Sequence, residues 1–219
     1  MTRRLVIIGA GGFAREVAWL VSEINAVKPG SYDLRGFVVS DLSKLGAHDS
    51  REQVLGDTAW LLARRDEFDA LAIGIGTPAM RLKVAAELEP SYPPACWPAL
   101  VHPNVRLDFA SATLGNGVLL CAGVTGTVNL ELRPFSVANL CCTLGHEAII
   151  GRGAVLNPTV NISGAVEIGD GVLVGTGAQV LQGLKVGPGA TVGAGAVVTK
   201  DVPSGETVVG MPAKPLARK

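Results

Sequence analysis

A small parallel α/β domain followed by a solenoid of six-residue rungs is the fold class the sequence predicts. Three observations predict it. Strand-like and helix-like segments alternate over residues 1–100, an aliphatic or small residue then recurs at every sixth position without a slip, and charge thins out where the recurrence begins. Residues 1–100 and 101–219 are accordingly read as two domains.

In the first domain, Arg4 to Gly9 is an apolar run closed by glycine and reads as a buried strand, and Phe13 to Val27 has helical periodicity. Leu34 to Val39 reads as a second strand and Asp57 to Arg65 as a short helix, with the polar stretch Lys44 to Gln53 between them a loop. Ala70 to Ile75 is the third strand, Pro78 to Leu88 the third helix, and Ala95 to Val101 the last strand. Such alternation argues for a small parallel sheet with crossover helices.

Stepping by six from Leu114, the chain reads Leu120, Gly126, Leu132, Ala138, Leu144, Ile150, Leu156 and Ile162, and keeps the frame through Val198. Four positions further on in each rung lies another small or aliphatic residue, such as Val118, Val124, Leu130, Ser136, Cys142 and Ala148. Two inward positions per rung fit short strands joined by bends, three rungs to a triangular coil, so that positions three rungs apart stack. Glycine often follows the first inward position, as at Gly115, Gly145, Gly151, Gly169, Gly175, Gly187 and Gly193. A tight corner there is expected to need a permissive backbone. A β-sandwich would instead show longer strands with period-2 alternation and more widely spaced turn signals.

Of the 38 charged residues, only nine fall within residues 102–198. A solenoid with so few solvated charges is expected to pack its faces against further copies of itself. Net charge is zero at pH 7, so nothing in it attracts nucleic acid or an anionic membrane. No segment is apolar for long enough to span a bilayer, and the start at Met1-Thr2-Arg3-Arg4 leads into too short an apolar run for a secretion signal. The four cysteines have no C-x-x-C or zinc-ligand spacing, and adjacent Cys141 and Cys142 should face opposite ways. They read as small apolar fillers in a reducing cytoplasm, with no metal expected.

Three histidines are present. His48 lies in the polar loop and His102 opens the first coil; both read as non-catalytic. His146 stands at an outward position in Gly145-His146-Glu147, on an otherwise charge-poor surface. An imidazole with a pKa of about 6.5 is suited to take a proton at neutral pH. Glu147 is the nearest carboxylate that could orient it, but consecutive strand residues face opposite ways, so the pairing requires a corner at that point. Gly9-x-Gly11-x-x-Ala14 between a strand and a helix satisfies a dinucleotide fingerprint, with Asp41 past the second strand. The same backbone amides would cradle any diphosphate. NAD, another nucleotide, or a ligand-free structural domain all remain compatible with the glycines alone.

Three stretches carry a resemblance: Val6-Ile7-Ile8-Gly9-Ala10-Gly11-Gly12-Phe13, then Gly145-His146-Glu147-Ala148-Ile149-Ile150-Gly151, and the tail Val209-Gly210-Met211-Pro212-Ala213-Lys214. With the hexapeptide frame they resemble the left-handed parallel β-helix acyltransferases. The Rossmann-like domain in front narrows this to the bacterial sugar acetyltransferases, which include UDP-4-amino-sugar and GDP-perosamine N-acetyltransferases and sialic-acid O-acetyltransferases. The resemblance covers essentially the whole chain.

The resemblance implies a cytoplasmic homotrimer in polysaccharide biosynthesis, with each active site between adjacent β-helices, acetyl-CoA as co-substrate and no metal. It makes His146 the base and Glu147 its partner. It puts a nucleotide-sugar on Gly11, Gly12, Phe13, Ser40, Asp41 and Gly76, aligns Asn139 with a family asparagine near the substrate, and runs acetyl-CoA along Gly164, Thr176, Gly193 and Ala194. Asn157, one coil beyond Asn139, is expected to stack on it as an amide ladder. Relatives often carry a second histidine near the acetyl group where this chain has Val155; the resemblance counts Val155 among the acetyl-CoA positions, with the histidine's contact missing or supplied by another residue. The expected activity is N-acetylation of a nucleotide-linked 4-amino-4,6-dideoxysugar. The alternatives are O-acetylation of sialic acid or a related sugar and a non-catalytic sugar-binding trimer.

Overall fold

Four successive apolar residues, Leu5 to Ile8, are buried, as befits a strand covered on both sides. In the computed structural model, which describes residues 1–216, they belong to β1 (Arg3–Ile8). It lies between β2 (Tyr32–Val38) and β4 (Ala70–Ile73), with the short β3 (Val54–Gly56) outside β2, all parallel in the order β3-β2-β1-β4. Helix α1 (Gly12–Val27) follows β1 and buries one stripe: Ala14, Val17, Leu20, Val21 and Ile24. The carboxylate of Asp57 caps α2 (Thr58–Leu62), accepting from the Trp60 N–H at 2.8 Å, and α3 (Pro78–Leu88) starts on a proline.

Some boundaries differ from expectation. The helix after Asp57 stops at Leu62 rather than Arg65. The polar loop runs into β3, which is too short to show a period. The expected strand Ala95–Val101 shrinks to β5 (Leu100–Val101) behind a 3-10 turn at Pro94–Cys96. Pro93, Pro94 and Pro98 carry no N–H to give a ladder.

The solenoid follows the six-residue period closely. Short strands stack in parallel on their counterparts one coil away, such as Val137 on Val155 and Thr143 on Asn161. Three faces result. Leu119, Val137, Val155 and Leu173 point out from a face that the α/β layer covers. Thr125, Thr143, Asn161, Gln179 and Val197 form a neutral face. Thr113, Glu131, Ile149, Glu167 and Lys185 form a charged one. Inside, Leu120, Leu132, Leu144, Ile150, Leu156, Ile162 and their successors to Val198 join one buried cluster. Each such aliphatic side chain contributes roughly 2 kcal/mol, and neighbouring coils supply the backbone hydrogen bonds.

The corners correct the expectation for the glycines. Gly145, Gly151 and Gly175 do not have positive φ; they are small because the next coil presses on them. A Cβ on Gly145 would lie 2.4 Å from the Gly164 nitrogen, and one on Gly175 2.5 Å from the Ala194 nitrogen. The left-handed conformation falls two positions later. There several corners carry glycine, while Asn129, Phe135, Cys141, Glu147, Thr159 and Ala165 adopt φ between 55° and 62°.

The two parts share their packing. Helix α1 lies between the sheet and the covered face, so Leu5, Ile7, Val17 and Leu20 join Leu119, Val137 and Val155 in one cluster. Helix α3 grips the edge between the charged and covered faces. The Arg152 guanidinium donates to Glu89 at 2.5 Å and lies 4.9 Å from the centre of the Phe135 ring, which packs edge-on against Trp97. Arg81 is fully buried there, donating to the carbonyls of Phe135 and Ile73 at 2.6 Å each and of Ile75 at 3.1 Å. Burial pulls its guanidinium down to about 9, still a cation at neutral pH.

Candidate active site

Between the inward residues Leu144 and Ala148 the chain turns from the neutral to the charged face through Gly145, His146 and Glu147. The corner is held by its neighbours: Glu147 N–H donates to the Val128 carbonyl at 3.0 Å, and Ala165 N–H donates to the His146 carbonyl at 2.7 Å. With Glu147 at φ 62°, strand alternation is broken and both side chains point outward, 63% and 60% exposed. Nδ1 of His146 stands 3.6 Å from Oε2 of Glu147. That is longer than a formed hydrogen bond and short enough to become one by a small side-chain rotation. The corner that this pair required is therefore present.

The opposite side of the ring rests on Gly164, one coil further on. A Cβ there would stand 2.4 Å from Nε2 and 2.6 Å from Cε1. Glycine at 164 thus makes the seat of the imidazole, and with Nδ1 turned to Glu147 the free ring nitrogen is Nε2.

Thr176, Gly193 and Ala194 lie on a different edge, between the covered and neutral faces. Gly195 N–H donates to the Thr176 carbonyl at 2.8 Å, and Gly175 packs against Ala194. Asn139 occupies an earlier corner of that edge. It is 7% exposed and lines a small crevice with Glu16, Trp19, His102 and Leu140. Its side-chain oxygen accepts from the Leu140 N–H at 2.7 Å. Among the described residues no side-chain bond joins it to Asn157; on the neutral face the cross-coil side-chain hydrogen bond runs instead from Thr143 to Asn161, at 2.7 Å. Val155 requires a correction. It is 1% exposed within the cluster between α1 and the coil, so its isopropyl group is core filler and offers a ligand no surface.

The third group lies in the α/β layer. A cleft of about 290 Å³ opens at the carboxyl ends of β1 and β2, where ligands of open parallel sheets bind. Gly11, Ser40 and Asp41 line it, together with Asp49, Thr58, Ile75, Met80, Lys83, Val84 and Glu87. Gly12 and Phe13 sit at the start of α1 beside it, and the Phe13 ring lies about 3.9 Å from where a Cβ on Gly76 would be. Sequence reasoning missed the contribution of α3, because Met80, Lys83, Val84 and Glu87 read only as one side of a helix. The ion pair between Arg15 and Asp49, which draws the 42–53 segment to α1, was equally invisible.

Cys141 is exposed and Cys96 half-buried, while the two buried cysteines are closed to thiol chemistry. Burial pushes Cys121 up to about 12 and Cys142 up to about 11, so neither is a thiolate at neutral pH. Among the described residues no His, Cys, Asp and Glu cluster could hold a metal ion, and no helix is long and apolar enough to cross a membrane.

Residues 4–88 match the PglD N-terminal domain family and residues 165–200 the bacterial transferase hexapeptide (six repeats) family. The chain superposes on the acetyltransferase domain of PglB from Neisseria gonorrhoeae FA1090 with a TM-score of 0.84 at 30% identity, covering 98% of this chain and 100% of that one. That domain is also known in complex with acetyl coenzyme A. WeeI from Acinetobacter baumannii AYE superposes with a TM-score of 0.82 at 31% identity, covering 97% and 99%. PerB from Caulobacter crescentus, in complex with CoA and GDP-perosamine, gives 0.83 at 27% identity, covering 97% of each chain. No curated protein matches the sequence at a significant level. With the sheet, the coil and two whole-length relatives at 30% identity or more in agreement, the chain belongs to the bacterial sugar acetyltransferases, acyltransferases of the left-handed β-helix, hexapeptide-repeat class.

Proposed function

We propose that the chain transfers acetyl from acetyl-CoA to the amine of a nucleotide-linked 4-amino-4,6-dideoxysugar, with His146 as general base, in a site completed by an adjacent copy of a homotrimer. Residues 1–100 hold the nucleotide-sugar and residues 101–219 carry the acyl transfer, in a cytoplasmic enzyme. The observation that carries this reading is the seat of His146, with a carboxylate beside Nδ1 and a glycine under Nε2.

Glu147 favours the tautomer with the proton on Nδ1 and stabilises the ring once it is charged. The sugar amine attacks the thioester carbonyl while Nε2 takes its proton, and a C–N bond forms. The tetrahedral intermediate then expels the CoA sulfur, which leaves with that proton. Backbone N–H groups near the glycine corners are the available donors for the oxyanion. The acceptor enters through the cleft lined by Gly11, Ser40 and Asp41, with Gly12, Phe13, Gly76 and Asn139 further contacts, and CoA runs along Gly164, Thr176, Gly193 and Ala194.

The positions of these groups support the trimer. His146 and Gly164 are on one edge of the prism and Thr176, Gly193 and Ala194 on another, with the neutral face between them. Packing the neutral face of one copy against the next would bring unlike edges together. Its side chains carry no charge, and Val128 and Leu181, 44% and 39% exposed at the His146 edge, would be covered.

A thermal-shift panel with acetyl-CoA and UDP-, GDP- and dTDP-linked sugars identifies the substrates. His146→Ala is expected to lower acetyl transfer by about several hundredfold while the trimer and melting temperature stay unchanged. Near-wild-type turnover would remove His146 from the chemistry.

A further inference from the structure

We infer that Lys83 is the side chain by which the cleft selects a diphosphate-linked sugar over an uncharged one; the inference rests on the nucleotide-sugar reading of that cleft. Helix α3 works on two sides. Arg81 and Leu82, with Glu89 just beyond its end, fasten it to the coil: Arg81 through the Phe135 carbonyl, while also donating to Ile73 and Ile75 of its own layer, Leu82 against Gly153 and Gly171, Glu89 through Arg152. Met80, Lys83, Val84 and Glu87 line the cleft. Lys83 is thereby carried on an element clamped at both ends, not on a free surface helix.

The charge around the cleft is one-sided. Its charged lining residues are Asp41, Asp49, Glu87 and Lys83, three carboxylates to one ammonium. Arg15 stands nearby but is engaged with Asp49. Lys83 makes no ion pair among the described residues, in contrast to Arg4, Arg15, Arg152 and Lys185, each of which has a carboxylate. With Arg15 answering Asp49, Lys83 is the cation of the lining left to meet a diphosphate, and an ammonium is well suited to phosphate as a compact point charge. Gly11 lines the same cleft at the start of α1, a helix whose first turn holds neither an acidic side chain nor a side-chain cap. Backbone N–H groups on α1 and the Lys83 ammonium on α3 together supply both kinds of donor that a diphosphate takes.

The test measures affinities of UDP, GDP and dTDP, and of the corresponding nucleosides, for the full-length wild type, Lys83→Met and Lys83→Arg, at low and moderate salt. The wild type is expected to bind at least one diphosphate, and Lys83→Met to bind it about tenfold or more weakly. Nucleoside and CoA affinities should not change, and Lys83→Arg should keep most of the diphosphate affinity. The salt dependence should flatten in Lys83→Met. Equal diphosphate affinity in the wild type and Lys83→Met, or a parallel loss of nucleoside binding, overturns the assignment of Lys83 while leaving the nucleotide-sugar reading intact. A wild type that binds no nucleoside diphosphate overturns both. Lys83 is exposed, so its replacement leaves the core untouched.

Discussion

The coil and the α/β layer in front of it are held by opposite means. In the coil every rung repeats the same two inward positions, and one continuous core runs from Val105 to Val208. Each buried aliphatic is one of many, and the ladder on either side keeps its neighbours in place. The α/β layer has four strands and joins the coil through the one cluster under α1 and at a few singular contacts along α3, of which Arg81 is the most exacting. Repetition leaves the outward corners free to vary, and the His146 pair sits at such a corner. The joint has no such freedom, because a single side chain answers three carbonyls.

Arg81→Ala should test that difference hardest. It strands three buried carbonyls and leaves a cavity, a loss of about 3–5 kcal/mol, readable in denaturant unfolding. Arg81→Met fills the space and should cost less. If Arg81→Ala proved milder than a single coil truncation such as Leu156→Ala, expected at about 2–5 kcal/mol, the contrast between joint and coil would collapse. Gly164→Val acts at the corner instead. Its side chain needs the space of the His146 ring, so acetyl transfer should fall by about a hundredfold with little change in melting temperature. Retained activity would show that the ring does not work from this seat.

The smallest effect belongs to the edge of the sheet. Arg4 donates to Asp69 from Nε at 2.9 Å and Nη2 at 3.0 Å, and this bonding holds the Asp69 carboxyl well below the usual carboxylate range. A carboxyl depressed in the folded state stabilises at pH values above its unfolded pKa of about 4, and the contribution is lost as pH falls through the folded value. Asp69→Asn should therefore be slightly less stable than wild type at pH 7, and the two should converge in strong acid. A constant difference across that range would assign the loss to packing rather than charge.

Much of this architecture is written in the period. Stepping by six from Leu114 finds the interior at nearly every rung, because only one side of a short strand can face a prism axis. Gly-His-Glu in a charge-poor stretch likewise locates the candidate base. The corner chemistry is less legible. Gly145 and Gly175 look like turn residues, yet they answer to the next coil, and it is Glu147 that takes the left-handed conformation. Val155 shows the limit of reading a role from alignment alone: its outward position looks accessible until α1 covers it. Arg81 and Lys83 are close neighbours on one helix, one buried in the joint and the other in the cleft lining, and spacing alone gives no sign of which is which.

The central claim is that His146 on one edge serves a CoA track on an edge of the neighbouring copy. Co-assembling His146→Ala chains with Ala194→Trp chains, the second variant blocking the track, tests it most directly. Mixed trimers then contain junctions where an intact His146 faces an intact track, so activity absent from both parents should return. A mixture as inactive as its parents, with mixed trimers demonstrably formed, would place base and track on a single chain and contradict the account.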